Sequence, residues 1–187
     1  MIGYAFCGSF CTHKKSLEML KKIIGMGYEV QPIMSENVYM TDTRFGKASA
    51  LVKEVSELCG CDIIHTIVQA EPLGPKIKLD ALIISPCTGN TLAKIANGIT
   101  DTSVSMAAKA HLRSNRPLVL ALASNDALSS NLKNIGTLLQ RKSVYFVPME
   151  QDEPIEKPHS LIADFELLPG TLISALEGKQ YQRVFKS

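Results

Sequence analysis

What the chain lacks narrows it first. There is almost no charge surplus: Lys+Arg number 20 and Asp+Glu 18, a net charge of +2 with no long run of one sign. Nothing in that balance favours an electrostatic grip on nucleic acid or on a membrane surface, so neither is expected as a partner. No apolar run approaches the roughly eighteen residues needed to span a bilayer. The opening MIGYAFCGSF carries no charged leader ahead of its apolar stretch, so a cytoplasmic protein is expected. The cysteines at 7, 11, 59, 61 and 87 are odd in number and form no C-x-x-C pair, which argues against a disulfide framework and against zinc knuckles. Cys59, Cys61 and His65 are near enough in sequence to share a metal, but they read as a reduced, partly buried set at a helix end, and no metal is expected. There is no G-x-G-x-x-G; Gly25-Met26-Gly27 falls between a helix and the next strand, where it stops the helix, so Rossmann-type dinucleotide binding is not expected. Internal repeats and low-complexity linkers are also missing.

What is present fits one domain over residues 1–187, with a polar tail from about 178 expected to fray. A hydrophobic content of 45% is ample for a core. Apolar runs at Ile2 to Cys7, Glu29 to Met34, Ala81 to Ile84, Pro117 to Ala123 and Val144 to Val147 read as strands buried on both faces. Helical spacing predicts helices from Leu17 to about Gly25, Thr43 to Leu58, Thr91 onward, Thr102 to Arg113, Leu128 to Leu139 and Ser160 to Leu176. Phe45, Ala48, Leu51, Val52 and Val55 form the core stripe of the second of these. Lys109, His111 and Arg113 suit a helix C-terminus and need no partner. Glu71-Pro72-Leu73-Gly74-Pro75 breaks regular structure, and residues 148–158 form a restricted, solvated acidic loop. Strand and helix alternate, so an α/β fold with a mainly parallel sheet is predicted.

In such a sheet, ligands collect beyond the carboxyl ends of the strands. Four polar breaks sit there. Gly8-Ser9-Phe10-Cys11-Thr12 follows the first strand and opens a helix, an arrangement whose backbone N–H groups can receive an anion with the Ser9 and Thr12 hydroxyls beside them. His13, Lys14 and Lys15 in the first helical turn are as well explained by solvation. Ser35 ends the second strand. Ser85 and Pro86 break the third, and with Thr88, Gly89 and Asn90 make a polar loop ahead of Thr91. Ser124-Asn125-Asp126 ends the fourth, where Asn125 is equally a ligand contact and a helix cap. His65, among apolar residues, is more readily a hydrogen-bonded core residue than a catalytic one.

The run SPCTGNTLAKIANGITD resembles the P-x-T-x-N-T-x-x-K-x-A-x-G-x-x-D signature of the flavin-dependent cysteine decarboxylase superfamily, with Pro86, Thr88, Asn90, Thr91, Lys94, Ala96, Gly98 and Asp101 in order. Gly8-Ser9 extends the match. GSFCTHKK, AEPLGPK, the SND-x-L segment and VYFVPMEQDEP are closer still to one branch, whose members work with a second, NADP-binding subunit to form dipicolinate from a dihydrodipicolinate-type precursor in sporulating bacteria. The resemblance implies a three-layer α/β/α Rossmann-like sandwich of the flavoprotein type and a homo-oligomer. It implies flavin mononucleotide (FMN) held by Gly8, Ser9, Phe10, Thr12, Ser35, Ser85, Pro86, Thr88, Asn90 and Thr91, with His65 and Asn125 as catalytic candidates toward a small-molecule substrate. Two departures stand out. The decarboxylases' P-x-M-N-x-x-M motif is replaced by Ala123-Ser124-Asn125-Asp126-Ala127-Leu128, and no cysteine follows Cys87 to serve in a substrate flap. A non-catalytic scaffold role in the same complex and a stand-alone FMN-dependent decarboxylase or prenyltransferase are the alternatives.

Overall fold

The computed structural model describes residues 1–74 and 76–186; Pro75, the end of the expected break, lies outside them. The described residues build a seven-stranded sheet in the order β2-β1-β3-β4-β7-β6, with β5 also pairing β4. β1 (Ile2–Phe6), β2 (Val30–Met34), β3 (Ala81–Cys87), β4 (Leu118–Ser124) and β5 (Val144–Phe146) run parallel. β6 (Met149–Glu150) and β7 (Leu161–Ala163) add antiparallel pairs. β4 is shared: Leu118–Leu120 pair with β5, and Ala123 and Ser124 pair with β7.

Helices cover both faces, giving three α/β/α layers. α1 (His13–Gly25), α3 (Ala48–Cys59) and α8 (Leu168–Leu176) bury Met19, Leu20, Ile23, Val55 and Leu172 against Tyr4, Phe6, Ile83 and Val119. On the other face, α5 (Gly89–Ala96), α6 (Ser103–Leu112) and α7 (Leu132–Leu139) bury Leu92, Ile95, Val104, Ala108, Ile135 and Leu138 against Ile84, Leu120 and Leu122. Short helices α2 (Glu36–Met40) and α4 (Ile67–Ala70) complete the set. Each fully buried Leu or Ile contributes about 1.5–3 kcal/mol, so these two faces hold the layers together. Among the described residues no helix is long and apolar enough to cross a membrane.

Several elements differ from the sequence reading. β3 does not stop at Ile84. It continues through Ser85-Pro86 to Cys87 because a register shift against β4 absorbs the proline, which has no N–H to give to the ladder. The helix expected from Thr43 begins at Ala48, and residues 43–46 close on themselves, Thr43 N donating to Gly46 O at 3.0 Å and Gly46 N to Thr43 O at 3.1 Å. Phe45 therefore leaves the core stripe and is 53% exposed. Asn131, not the 124–126 turn, occupies the N-cap position of α7. The closing helix splits, its first residues forming β7. His111 does sit in the last turn of α6, as expected, but it is fully buried and has a partner, its Nε2 donating to Pro117 O at 2.9 Å. The tail is docked rather than frayed: the Gln180 amide meets Phe146 N at 2.9 Å and Phe146 O at 2.7 Å, and Met149 pairs with Phe185.

Candidate functional site

The carboxyl ends of β1, β3 and β4 come together around one open cleft of about 620 Å³. Ser9 and Thr12 form one wall; Thr88, Gly89 and Asn90 form the floor; Ala123, Ser124, Asn125 and Asp126 form the other wall. Arg44, Asp152, Lys157 and Ser160 stand at the rim, with Leu161 and Ile162 adding apolar surface. A smaller groove of about 500 Å³, floored by Phe10, His13, Leu17, Val38 and Leu51, lies between α1 and α3.

The first wall is tightly made. Ser9 sits in the left-handed region at φ 66°, where a non-glycine residue is uncommon. Its hydroxyl donates to Ala123 O at 3.1 Å, joining the β1 loop to the end of β4. Thr12 is buried and donates to Ser9 O at 2.8 Å. Both hydroxyls thus donate to backbone carbonyls and hold the loop in shape, leaving its backbone N–H groups as the donors for an anion. A Cβ on Gly8 would lie 3.3 Å from Thr88 Cγ2, which shows how closely the two loops approach. Burial holds His13 below its usual value of 6.5, and its Nε2 donates to Cys7 O at 2.7 Å.

The floor is the start of α5. Thr88 caps it, accepting from Thr91 N at 3.2 Å, and donates to Thr91 Oγ1 at 3.1 Å. Thr91 is buried, whereas Asn90 is exposed to the cleft. Pressed against Gly89 is a cluster centred on Asp126. Its carboxylate accepts from Ser124 Oγ, from Ser130 Oγ at 2.9 Å and from Asn131 Nδ2 at 2.9 Å. Those donors, Ser124 foremost, hold Asp126 below the usual carboxylate range.

Ser85 and Pro86 lie inside β3, not in a loop beyond it; Ser85 is fully buried with its hydroxyl 3.1 Å from Ser16 Oγ. Ser35 caps α2, accepting from Val38 N at 3.4 Å, and is not among the cleft-lining residues. Phe10 turns toward the smaller groove, its ring centroid 5.1 Å from that of His13. The two catalytic candidates are not brought together. Asn125 is exposed in the cleft, while His65 stacks on Tyr39, ring centroids 3.7 Å apart and planes 3° off parallel, away from the cleft lining.

Much of the motif run from Thr88 onward is structural. Lys94 Nζ meets Asp101 Oδ1 at 2.8 Å, and Gly98 takes a φ of 71° just past the end of α5. These residues fix α5 to the turn before α6 and touch nothing in the cleft. The sequence reading missed Arg44, absorbed into an expected helix, and gave Asp126 no role of its own. The signal for the first was Asp42-Thr43-Arg44-Phe45-Gly46, a turn composition inside the helical pattern.

The cleft offers side-chain amides at Asn90 and Asn125, a helix start, a guanidinium at Arg44 and an apolar strip at Ala123, Leu161 and Ile162. That donor set fits a ligand with a planar ring and a polar, anionic arm. The Flavoprotein family model matches residues 1–166, and the chain belongs to that family. Within it, the chain is similar to the B-subunit of dipicolinate synthase from Bacillus subtilis (strain 168), 44% identical over 98% of this chain and 92% of that protein. The crystal structure of the same B-subunit from Bacillus halodurans C superposes with a TM-score of 0.91 at 41% identity, covering 100% of this chain and 95% of that one. AnUbiX (PadA1), whose structure holds FMN and dimethylallyl pyrophosphate, shares the fold at TM-score 0.61 and 22% identity over 79% of this chain and 76% of its own.

Proposed function

We propose that this chain is the flavoprotein-type subunit of a dipicolinate synthase. With that enzyme's other subunit, an NADP-binding partner, it oxidises a dihydrodipicolinate-type precursor to dipicolinate in the cytoplasm of a sporulating cell. The observation that carries the reading is the 44% identity over nearly the whole of both chains. The oxidation removes a hydride and a proton from the precursor; the nicotinamide of the partner's NADP takes the hydride.

The resident cofactor of this chain would be FMN, with Gly8, Ser9, Thr12, Thr88 and Asn90 around its polar arm. Bound flavin supplies a ring that accepts and returns electron pairs. This chain's own residues bind and orient: Asn90 and Asn125 offer amides to a ligand's oxygens, and the Leu161–Ile162 strip excludes water from one side. Homo-oligomerisation is part of the same proposal.

Mixing the purified chain with the NADP-binding partner, NADP and precursor is the test. Dipicolinate formed by the mixture, with each chain alone much poorer, is expected; full activity in the NADP-binding partner alone would sink the proposal. A second reading, a purely binding role with no redox step, draws on the replacement of the decarboxylase motif by residues 123–128. A colourless protein that takes up no flavin on titration yet activates the partner would favour it. Turnover with no partner present would point instead to a stand-alone decarboxylase or prenyltransferase.

A further inference from the structure

The turn at residues 42–47 is built to hold one shape. Beyond the two Thr43–Gly46 bonds, Phe45 N donates to Thr43 Oγ1 at 3.1 Å, and Asp42 Oδ1 accepts from Ala48 N at 2.8 Å, fastening the turn to the first residue of α3. Gly46 has a φ of 150°, a backbone conformation that side chains disfavour. The turn's own hydrogen bonds thus fix its backbone, and what it displays is Arg44 beside Phe45. The guanidinium carbon stands 4.9 Å from the Phe45 ring centroid. A ring in that position supports the guanidinium while leaving its N–H edge free.

The other charges at the cleft are already satisfied. Lys157 is paired with Glu153 at 3.0 Å and Asp152 at 3.6 Å. Asp126 accepts from three side chains. Arg44, by contrast, has no ion pair among the described residues, although it lines the same cleft as Asn90 and Asn125. The cleft therefore contains one uncommitted cation, on a rigid turn, with two side-chain amides also facing the same space.

We infer that Arg44 is the carboxylate-binding residue of this cleft. It takes one carboxylate of a planar heterocyclic dicarboxylate through paired N–H···O bonds, leaving the second carboxylate to the amide of Asn125. The identity of the dicarboxylate rests on the function proposed above; the anion-binding role of Arg44 does not. A guanidinium fork matches a flat carboxylate with two parallel bonds, which a lysine ammonium cannot reproduce.

Isothermal titration of dipicolinate into the full-length chain, alone and with the NADP-binding partner, tests this. Arg44→Ala is expected to weaken binding about 10- to 100-fold, the size of a charge-assisted contact at a partly wet site. Arg44→Lys should recover only a minor part of the loss, and Lys15→Ala, an equal charge change on an exposed helical position, should change it less than about twofold. FMN affinity, followed by quenching of flavin fluorescence, should stay within about twofold in every variant. Three results overturn the inference: dipicolinate binding unchanged in Arg44→Ala, no dipicolinate binding by the wild-type chain in either form, or a loss of FMN affinity in place of dipicolinate affinity, which would assign Arg44 to the phosphate. A mixture that makes no dipicolinate, yet binds it in an Arg44-dependent way, removes the proposed enzyme and leaves Arg44. An active mixture whose KM ignores Arg44 does the reverse.

Discussion

Gly89→Ala is the sharpest stability test of the cleft floor. The added methyl would meet Ser124 Oγ, and would stand 2.6 Å from both Asn131 Nδ2 and Asp126 Oδ1. These atoms are tied to one another through the Asp126 carboxylate, so none can swing away without breaking a hydrogen bond. Overpacking of this kind costs about 1–3 kcal/mol, and losing one hydrogen bond to a charged group costs about 1.5 kcal/mol or more. Alanine in a helix returns roughly 0.5–1 kcal/mol relative to glycine. The net is a loss of about 1.5–4 kcal/mol, which for a chain of this size lowers Tm by about 3–16 °C. Gly136→Ala provides the internal comparison: it lies within α7, and its added Cβ would find nothing within 4 Å. It should gain about 0.5–1 kcal/mol, because only the helical preference changes. Thermal melts by circular dichroism and urea titrations with matched m-values measure both. If Gly89→Ala is as stable as wild type, or if the two variants shift in the same direction, the account of the Asp126 cluster is wrong.

Three further outcomes follow from burial and exposure. His13 and His111 are both held below 6.5, chiefly by burial. The unfolded chain then binds protons that the folded chain refuses, so stability is complete above about pH 6.5 and falls as the pH drops through the folded-state values. Tm should decline from pH 7 to 5, with a shallower slope in His111→Gln; an identical slope in that variant would clear His111 of the effect. Burial pushes the Cys7 thiol up to about 12 and Cys87 well above its ordinary value, whereas Cys11 is exposed. Labelling with a thiol-specific reagent at pH 8, read by mass spectrometry, should therefore modify Cys11 in the native protein and reach Cys7 and Cys87 only on unfolding; native-state labelling of Cys87 would contradict its burial. Asn90→Ala should weaken FMN binding while moving Tm by less than about 2 °C, since the side chain is exposed; unchanged binding would remove Asn90 from the site.

The layers were legible because buried parallel strands announce themselves. Ile2–Phe6, Val30–Met34 and Leu118–Ser124 fall within about a residue of the expected runs, since continuous apolar segments of that length have few alternatives. Two of the misreadings share a cause: local pattern was overruled by a partner distant in sequence. Ser85-Pro86 looks like a break until β4 supplies a register shift, and Ser160 onward looks helical until the end of β4 needs a strand beside it. At the cleft, Ser9, Thr88, Asn90 and Asn125 were visible as small polar residues after strands. Arg44 was not, because it lies in the turn between α2 and α3, not at the end of a strand, and joins the cleft only through the tertiary fold.

The buried hydroxyls beneath the cleft determine how it can respond to a ligand. Tyr4 donates to Ser16 O at 2.7 Å, and Ser16 donates to Ser85 O at 2.5 Å, linking β1, α1 and β3 through fully buried groups. Breaking such a chain leaves polar atoms unsatisfied in the core, so β1, α1 and β3 are fastened to one another where the loops at Ser9 and Thr88 begin. Adjustment then falls to the far rim, where residues 151–159 are exposed throughout. The buried chain and the exposed rim are thus open to separate alteration: substitution in the first is expected to lower Tm, and substitution in the second to leave the fold intact.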